Sequence, residues 1–161
     1  MLRATDKFDT DAAGRTDYRC IWAAHCFNVR MQTVQSFPAR RFQVWKYGVS
    51  HAQLLLRSTK EQGQRTRVDV AFKNVQALKL ATSIENLVVR LASPEDAARI
   101  RAEAGILDAD SNVFLLEGDG GIGWVIAGIA FGHEDEGDYS EPSPLLSGNW
   151  NGPGWRLPGS P

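Results

Sequence analysis

Residues 42–58, FQVWKYGVSHAQLLLRS, are the stretch whose reading decides the fold. Phe42, Val44, Trp45 and Tyr47 are aromatic or β-branched side chains, which suit a pleated and half-buried surface, and Gly48 accepts backbone angles at which the chain can bend. A second strand is expected from Ala52 to Ser58, with Leu54, Leu55 and Leu56 in a row. Successive side chains of a strand point to opposite faces, so consecutive leucines imply burial on both and place this strand in the middle of a sheet. The stretch reads as the central hairpin of a core.

Working toward the C-terminus, residues 59–65 are polar and contain Gly63, as an exposed loop would. Arg67 to Phe72 alternates, with Val68, Val70 and Phe72 pointing one way and Arg67, Asp69 and Ala71 the other. Lys73-Asn74 turns the chain, because Asn tolerates left-handed geometry. Strands are then expected at Val75–Leu80 and Leu87–Leu91. Ser93-Pro94-Glu95-Asp96 has the form of a helix start, with a capping hydroxyl, a proline suited to the first turn and acids near the positive end of the dipole. Ala97, Ile100 and Ala104 follow at helical spacing, and Gly105 ends the helix. Two further strands, Val113–Leu116 and Trp124–Phe131, flank a glycine-rich loop.

These readings add up to an α+β domain over residues 32–135. About seven mainly antiparallel strands form a curved sheet or partial barrel, with one helix, about residues 94–104, packed against it. Residues 1–31 hold no sustained period and are expected to be a poorly ordered arm or extension. The regular pattern begins just after Met31. Residues 136–161 are expected to be a disordered tail, acidic at first and then rich in Gly and Pro.

A chain of 161 residues fits one domain of ordinary size and buries roughly two-thirds of its unfolded surface. The net charge of −1 conceals an asymmetry. Residues 40–79 hold nine Lys or Arg against two acids, whereas residues 80–161 hold four Arg against thirteen acids. Such halves either neutralise one another inside the fold or present a charged face to a partner. No window approaches the roughly 20 apolar residues of a membrane span, and no secretory pattern is read at the start. Two cysteines make no disulfide framework, so a cytoplasmic location is expected.

Each motif has a bland reading that outweighs the functional one. Gly118-Asp-Gly120-Gly-Ile-Gly123 matches the dinucleotide fingerprint in letters, but that motif needs a helix next, and the β-type run WVIAGIAF follows. A hairpin loop is the better reading. Cys20, His25 and Cys26 lack the second ligand pair of a structural zinc site, so no metal and no cofactor is expected. Ser50, His51 and Asp69 comprise the inventory for nucleophilic catalysis, yet adjacent strand residues point apart, and His51 is read as a turn residue. His133-Glu134-Asp135-Glu136-Gly-Asp138 lacks the spacing of a calcium loop. It reads as a solvated acidic cluster that keeps the last strand soluble, or one that docks on the basic stretch 40–79.

With no catalytic constellation, the functional expectation is a non-enzymatic binding module acting through a protein partner. His133, Glu134, Asp135, Glu136 and Asp138 form the expected docking patch. One alternative is single-stranded nucleic-acid binding by Arg41, Trp45, Tyr47 and Arg57 as a basic, aromatic platform. Another is a small-ligand or catalytic pocket near His51. Neither the partner's identity nor the oligomeric state is encoded in any motif.

Overall fold

The triple leucine stands where burial on both faces requires it, in a strand with neighbours on either side. In the computed structural model, which describes residues 34–61, 63–106, 108, 110–147 and 154–157, the strands are β1 (Gln35–Ser36), β2 (Arg41–Gly48), β3 (Gln53–Ser58), β4 (Arg67–Lys73), β5 (Ala77–Lys79), β6 (Ser83–Glu85), β7 (Val88–Leu91), β8 (Asn112–Gly118), β9 (Gly121–Ala127), β10 (Ile129–Asp135) and β11 (Trp155–Arg156). One helix, α1 (Pro94–Ala104), lies between β7 and β8. The fold is therefore α+β, and all strand pairs are antiparallel.

The expected single curved sheet of about seven strands is corrected to two sheets with eleven strands among the described residues. One sheet has the order β1-β7-β8-β9-β5 and the other β11-β10-β4-β3-β2-β6. The chain changes sheet repeatedly, and three changes coincide with a non-glycine residue in the left-handed region: Ala39 at φ 57°, Asn74 at φ 57° and Asn86 at φ 54°. The run Trp124–Phe131, read as one strand, is divided at Gly128. Its first half joins one sheet as β9 and its second half joins the other as β10. A continuous apolar run looks alike in both cases, because both halves are buried.

Two sheets need more apolar faces than one, and the alternation supplies them. Phe42, Leu54, Leu56, Val70 and Phe72 from one sheet meet Val89, Phe114, Leu116 and Val125 from the other in the central core. Phe72 and Phe114 stack edge to face with centroids 5.5 Å apart. Val113, Leu115, Trp124 and Ile126, on the opposite face of the first sheet, are covered by Ala97 and Ile100 of α1. The helix starts as its sequence requires, since Ser93 Oγ accepts the Asp96 N–H at 3.1 Å, and it stops at Gly105 with φ 70°.

The outer face of the second sheet carries Leu55, Ala71 and Phe131, and the C-terminal segment covers it. This corrects the expectation of a disordered tail at 136–161 as far as that stretch is described. Leu145, in a 3-10 turn over Pro144–Leu146, and Leu157, just after β11, are both buried to within 1% exposure. A segment with few apolar residues orders when the ones it has find a preformed apolar face. The arm expected at 1–31 lies outside the described residues, as do Cys20, His25 and Cys26.

Candidate functional site

Cross-strand register brings the charged residues of the second sheet together. Arg57 of β3 lies opposite Asp69 of β4, and Asp69 lies opposite His133 of β10. Arg67 of β4 lies opposite Asp135 of β10. Residues two apart on a strand share a face, so these five side chains continue the outer face that begins with Leu55, Ala71 and Phe131.

Two arginine–aspartate forks result. Arg57 donates from Nε and Nη2 to the two carboxylate oxygens of Asp69 at 2.7 and 2.9 Å, with both side chains only 1% exposed. Arg67 donates in the same manner to Asp135 at 2.9 and 2.6 Å. The remaining nitrogens point at main chain. Arg57 Nη1 reaches the carbonyls of Tyr139 at 2.9 Å and Glu141 at 3.0 Å, and Arg67 Nη1 reaches those of Asp138 at 3.0 Å and Glu141 at 2.9 Å. The Glu141 carbonyl thus accepts from both guanidiniums. A buried charge is tolerated when it is paired and its remaining donors are satisfied, and both arginines meet that condition through one surface turn.

The turn is shaped to be held. Glu141 N–H donates to the Asp138 carbonyl at 3.2 Å, closing a four-residue turn. Gly137 donates its N–H to Asp135 Oδ1 at 2.9 Å, and a Cβ there would stand 2.5 Å from Arg67 Nη2, so a larger residue would have to push the guanidinium out of its fork. Trp45 lies under the Arg57 guanidinium at 5.0 Å, and Tyr139 meets the same indole edge to face at 4.7 Å. Beyond that contact Tyr139 remains 61% exposed. Glu136, Asp138, Ser140 and Glu141 are exposed beside it.

Burial works against ionisation of Asp135. The Arg67 hydrogen bond, the Gly137 N–H and the Arg67 charge outweigh it and hold the carboxyl below the usual carboxylate range. Burial likewise opposes the charge on Arg67, but Asp135, Asp69 and Glu141 raise its pKa above the ordinary value.

Of the acidic residues singled out from sequence, Asp135 belongs to a fork. His133 is mostly buried, with Nε2 3.4 Å from Asp135 Oδ2. Glu134 takes Arg40 at 2.9 Å and the Thr66 hydroxyl. Asp138 takes Lys60 at 3.3 Å, and Glu136 is exposed. The acidic stretch therefore docks on the basic stretch 40–79 of its own chain, one of its two bland readings.

Arg41, Trp45, Tyr47 and Arg57 do not form a common platform. Arg57 is buried, and Trp45 is packed between it and Tyr139. A bulge between Val44 and Lys46 shifts the register, so Tyr47 lies opposite Leu54 and faces away from Trp45. Arg41 is held by Ser83 Oγ at 2.8 Å and by Glu85 at 3.5 Å. His51 ends an exposed 3-10 turn, Val49–His51, at the other end of β3 from the Arg57–Asp69 fork.

Gly118 and Gly121 close the β8–β9 hairpin opposite one another. A Cβ at Gly118 would meet the Glu85 carbonyl at 2.6 Å, and one at Gly123 the Lys79 carbonyl at 2.7 Å. Close backbone approach accounts for Gly118 and Gly123, and a positive φ of 123° for Gly121. Among the described residues no group of three or more His, Cys, Asp or Glu is arranged to hold a metal, and no helix is long and apolar enough to cross a membrane.

Sequence reasoning missed the forks. It assigned Arg67 and Asp69 to the side of β4 away from the core. Their signal was the company they keep, since the same outward faces carry Leu55, Ala71 and Phe131, too apolar to be left in water. No protein-family model matches the chain, and no curated protein or solved structure matches it either.

Proposed function

We propose that this chain is a non-enzymatic binding module that acts through a protein partner, with the turn from Glu136 to Glu141 as its docking surface. The observation that supports this reading is the grip of two buried guanidiniums on the carbonyls of Asp138, Tyr139 and Glu141. A loop that needed only to connect strands would not require two buried charges beneath it. Held in this way, the turn displays an exposed tyrosine ringed by carboxylates with little conformational freedom left to lose on binding. Tyrosine is among the residues that dominate binding energies, and carboxylates at the rim steer a basic partner. We place this activity in the cytoplasm, because two cysteines are too few for a disulfide framework.

The test is affinity capture from the native host with the full chain, compared with an E136K/D138K/Y139A variant. These side chains are exposed, so the variant is expected to keep its melting point within a few degrees. Binding of the captured partner should fall by about 100-fold, the effect of losing one hot-spot tyrosine and its charged rim. A variant that folds and binds the same partner with unchanged affinity refutes the assignment.

A further inference from the structure

Beside the pinned turn lies an open groove of about 500 Å3, lined by Gln43, Val44, Trp45, Thr82, Ser83 and Tyr139. One wall is β2, whose outer edge is only half used. The three-residue strand β6 pairs with Arg41, Phe42 and Gln43, and one further bond joins Val44 N–H to the Thr82 carbonyl at 3.0 Å. From Trp45 to Gly48, β2 has β3 on one side and, among the described residues, no strand on the other. Exposed apolar side chains gather there, with Val44 at 39%, Tyr47 at 46% and Val49 at 83% exposure. An unpaired edge flanked by exposed apolar residues is a template for another strand.

We infer that the Trp45–Gly48 edge takes up an extended segment of a protein partner, which adds antiparallel to β2 along the track begun by β6 and carries an acidic residue beside Lys46. This rests on the protein-partner reading and names the element that such a partner contributes. The chemistry follows from the strand already in place. On the occupied half of the edge Glu85 of β6 lies opposite Arg41 of β2 and pairs with it at 3.5 Å. On the open half the exposed cation is Lys46. A second copy of this chain fits poorly, because antiparallel β2–β2 pairing sets Lys46 near its own counterpart with no acid to meet it. A segment with one acid and flanking apolar residues satisfies Lys46 and covers Val44 and Tyr47.

The probe is an end-capped octapeptide alternating valine and threonine around a central glutamate, titrated into the 15N-labelled full chain and read by amide chemical shifts. Two controls accompany it, one N-methylated on its pairing edge and one with lysine in place of the glutamate. Shifts are expected for residues 44–48 and for Thr82, and they should vanish with the N-methylated peptide. The lysine peptide should bind about threefold to fivefold more weakly, with the preference reversed in a K46E chain. Shifts that survive N-methylation, shifts confined to other surfaces, or self-association of the chain through this edge would each overturn the inference. If no peptide binds while the turn variant still loses its partner, the edge assignment falls and the partner reading stands. If the peptide binds the edge while the turn variant keeps its partner, the edge assignment stands and the turn is not the docking surface.

Discussion

Asp69→Ala is the most telling perturbation of the forks. Asp69 and Arg57 are both 1% exposed, and the substitution removes the acceptors of two hydrogen bonds at 2.7 and 2.9 Å, leaving a buried guanidinium uncompensated. Removing one partner of a buried ion pair costs about 3–5 kcal/mol. That is a large part of the roughly 5–15 kcal/mol that holds a domain together. For a domain of this size each kcal/mol lowers Tm by about 3–4 °C, so a fall of about 9–20 °C is expected. The double variant R57M/D69A decides whether the charge is responsible. It removes both ions, and the Glu141 carbonyl keeps its bond to Arg67 at 2.9 Å. The double variant should be more stable than Asp69→Ala alone, although it has lost more contacts. Denaturant unfolding with a constant m-value, supported by thermal melts, measures all three variants. A loss below about 1 kcal/mol for Asp69→Ala, or simple additivity in the double variant, would refute the reasoning.

Leu145→Ala should cost about 2–5 kcal/mol if the segment after β10 is part of the core, and nothing if it is a loose tail; equilibrium unfolding separates the two. Acid titration of stability tests the Arg67–Asp135 fork. Because the folded pKa of Asp135 lies below its unfolded value, its stabilising contribution is complete above the ordinary carboxylate range and is lost as pH falls through the folded pKa. Unfolding midpoints measured from pH 7 down to pH 2 should show a shallower acid slope in Asp135→Asn than in the unaltered chain. Where the acidic segment meets the basic strands, salt should reach the rim pairs Arg40–Glu134 and Lys60–Asp138, whose carboxylates are 56% and 79% exposed, and leave the buried forks alone. Raising ionic strength should therefore lower stability by no more than about 1 kcal/mol. The E134Q/D138N variant should lose part of that salt dependence, with Arg41–Glu85, Lys79–Glu103 and Arg99–Asp96 supplying the rest, and a variant as salt-dependent as the unaltered chain would refute the assignment of screening to these rim pairs.

Local chemistry was legible along the chain wherever neighbours in sequence decide the outcome. Ser93, Pro94, Asp96 and Gly105 delimit α1 because capping and left-handed termination act within one turn. Leu54, Leu55 and Leu56 announced a strand buried on both faces, and Val68, Val70 and Phe72 announced the inward side of β4, because strand periodicity is a property of the backbone. The opposite charges of residues 40–79 and 80–161 were countable, and neutralisation inside the fold was among their readings.

Pairing over long separations was decided only by the tertiary structure. Arg57 stands 82 residues from Tyr139 and 84 from Glu141. No local pattern can say that a guanidinium on β3 meets those carbonyls, since the meeting depends on which strands are neighbours and in what register. The same holds for the break at Gly128, which turns one apolar run into two strands of different sheets, and for Leu145, which is ordered by a face built from β3, β4 and β10. Sequence by itself determined the main core strands, where the helix begins and ends, and the inward apolar sides of β3 and β4. The tertiary structure decided that there are two sheets, that the acidic segment folds back onto basic strands, and that two buried arginines hold a surface turn in place, because each depends on contacts that exist only once distant strands lie side by side.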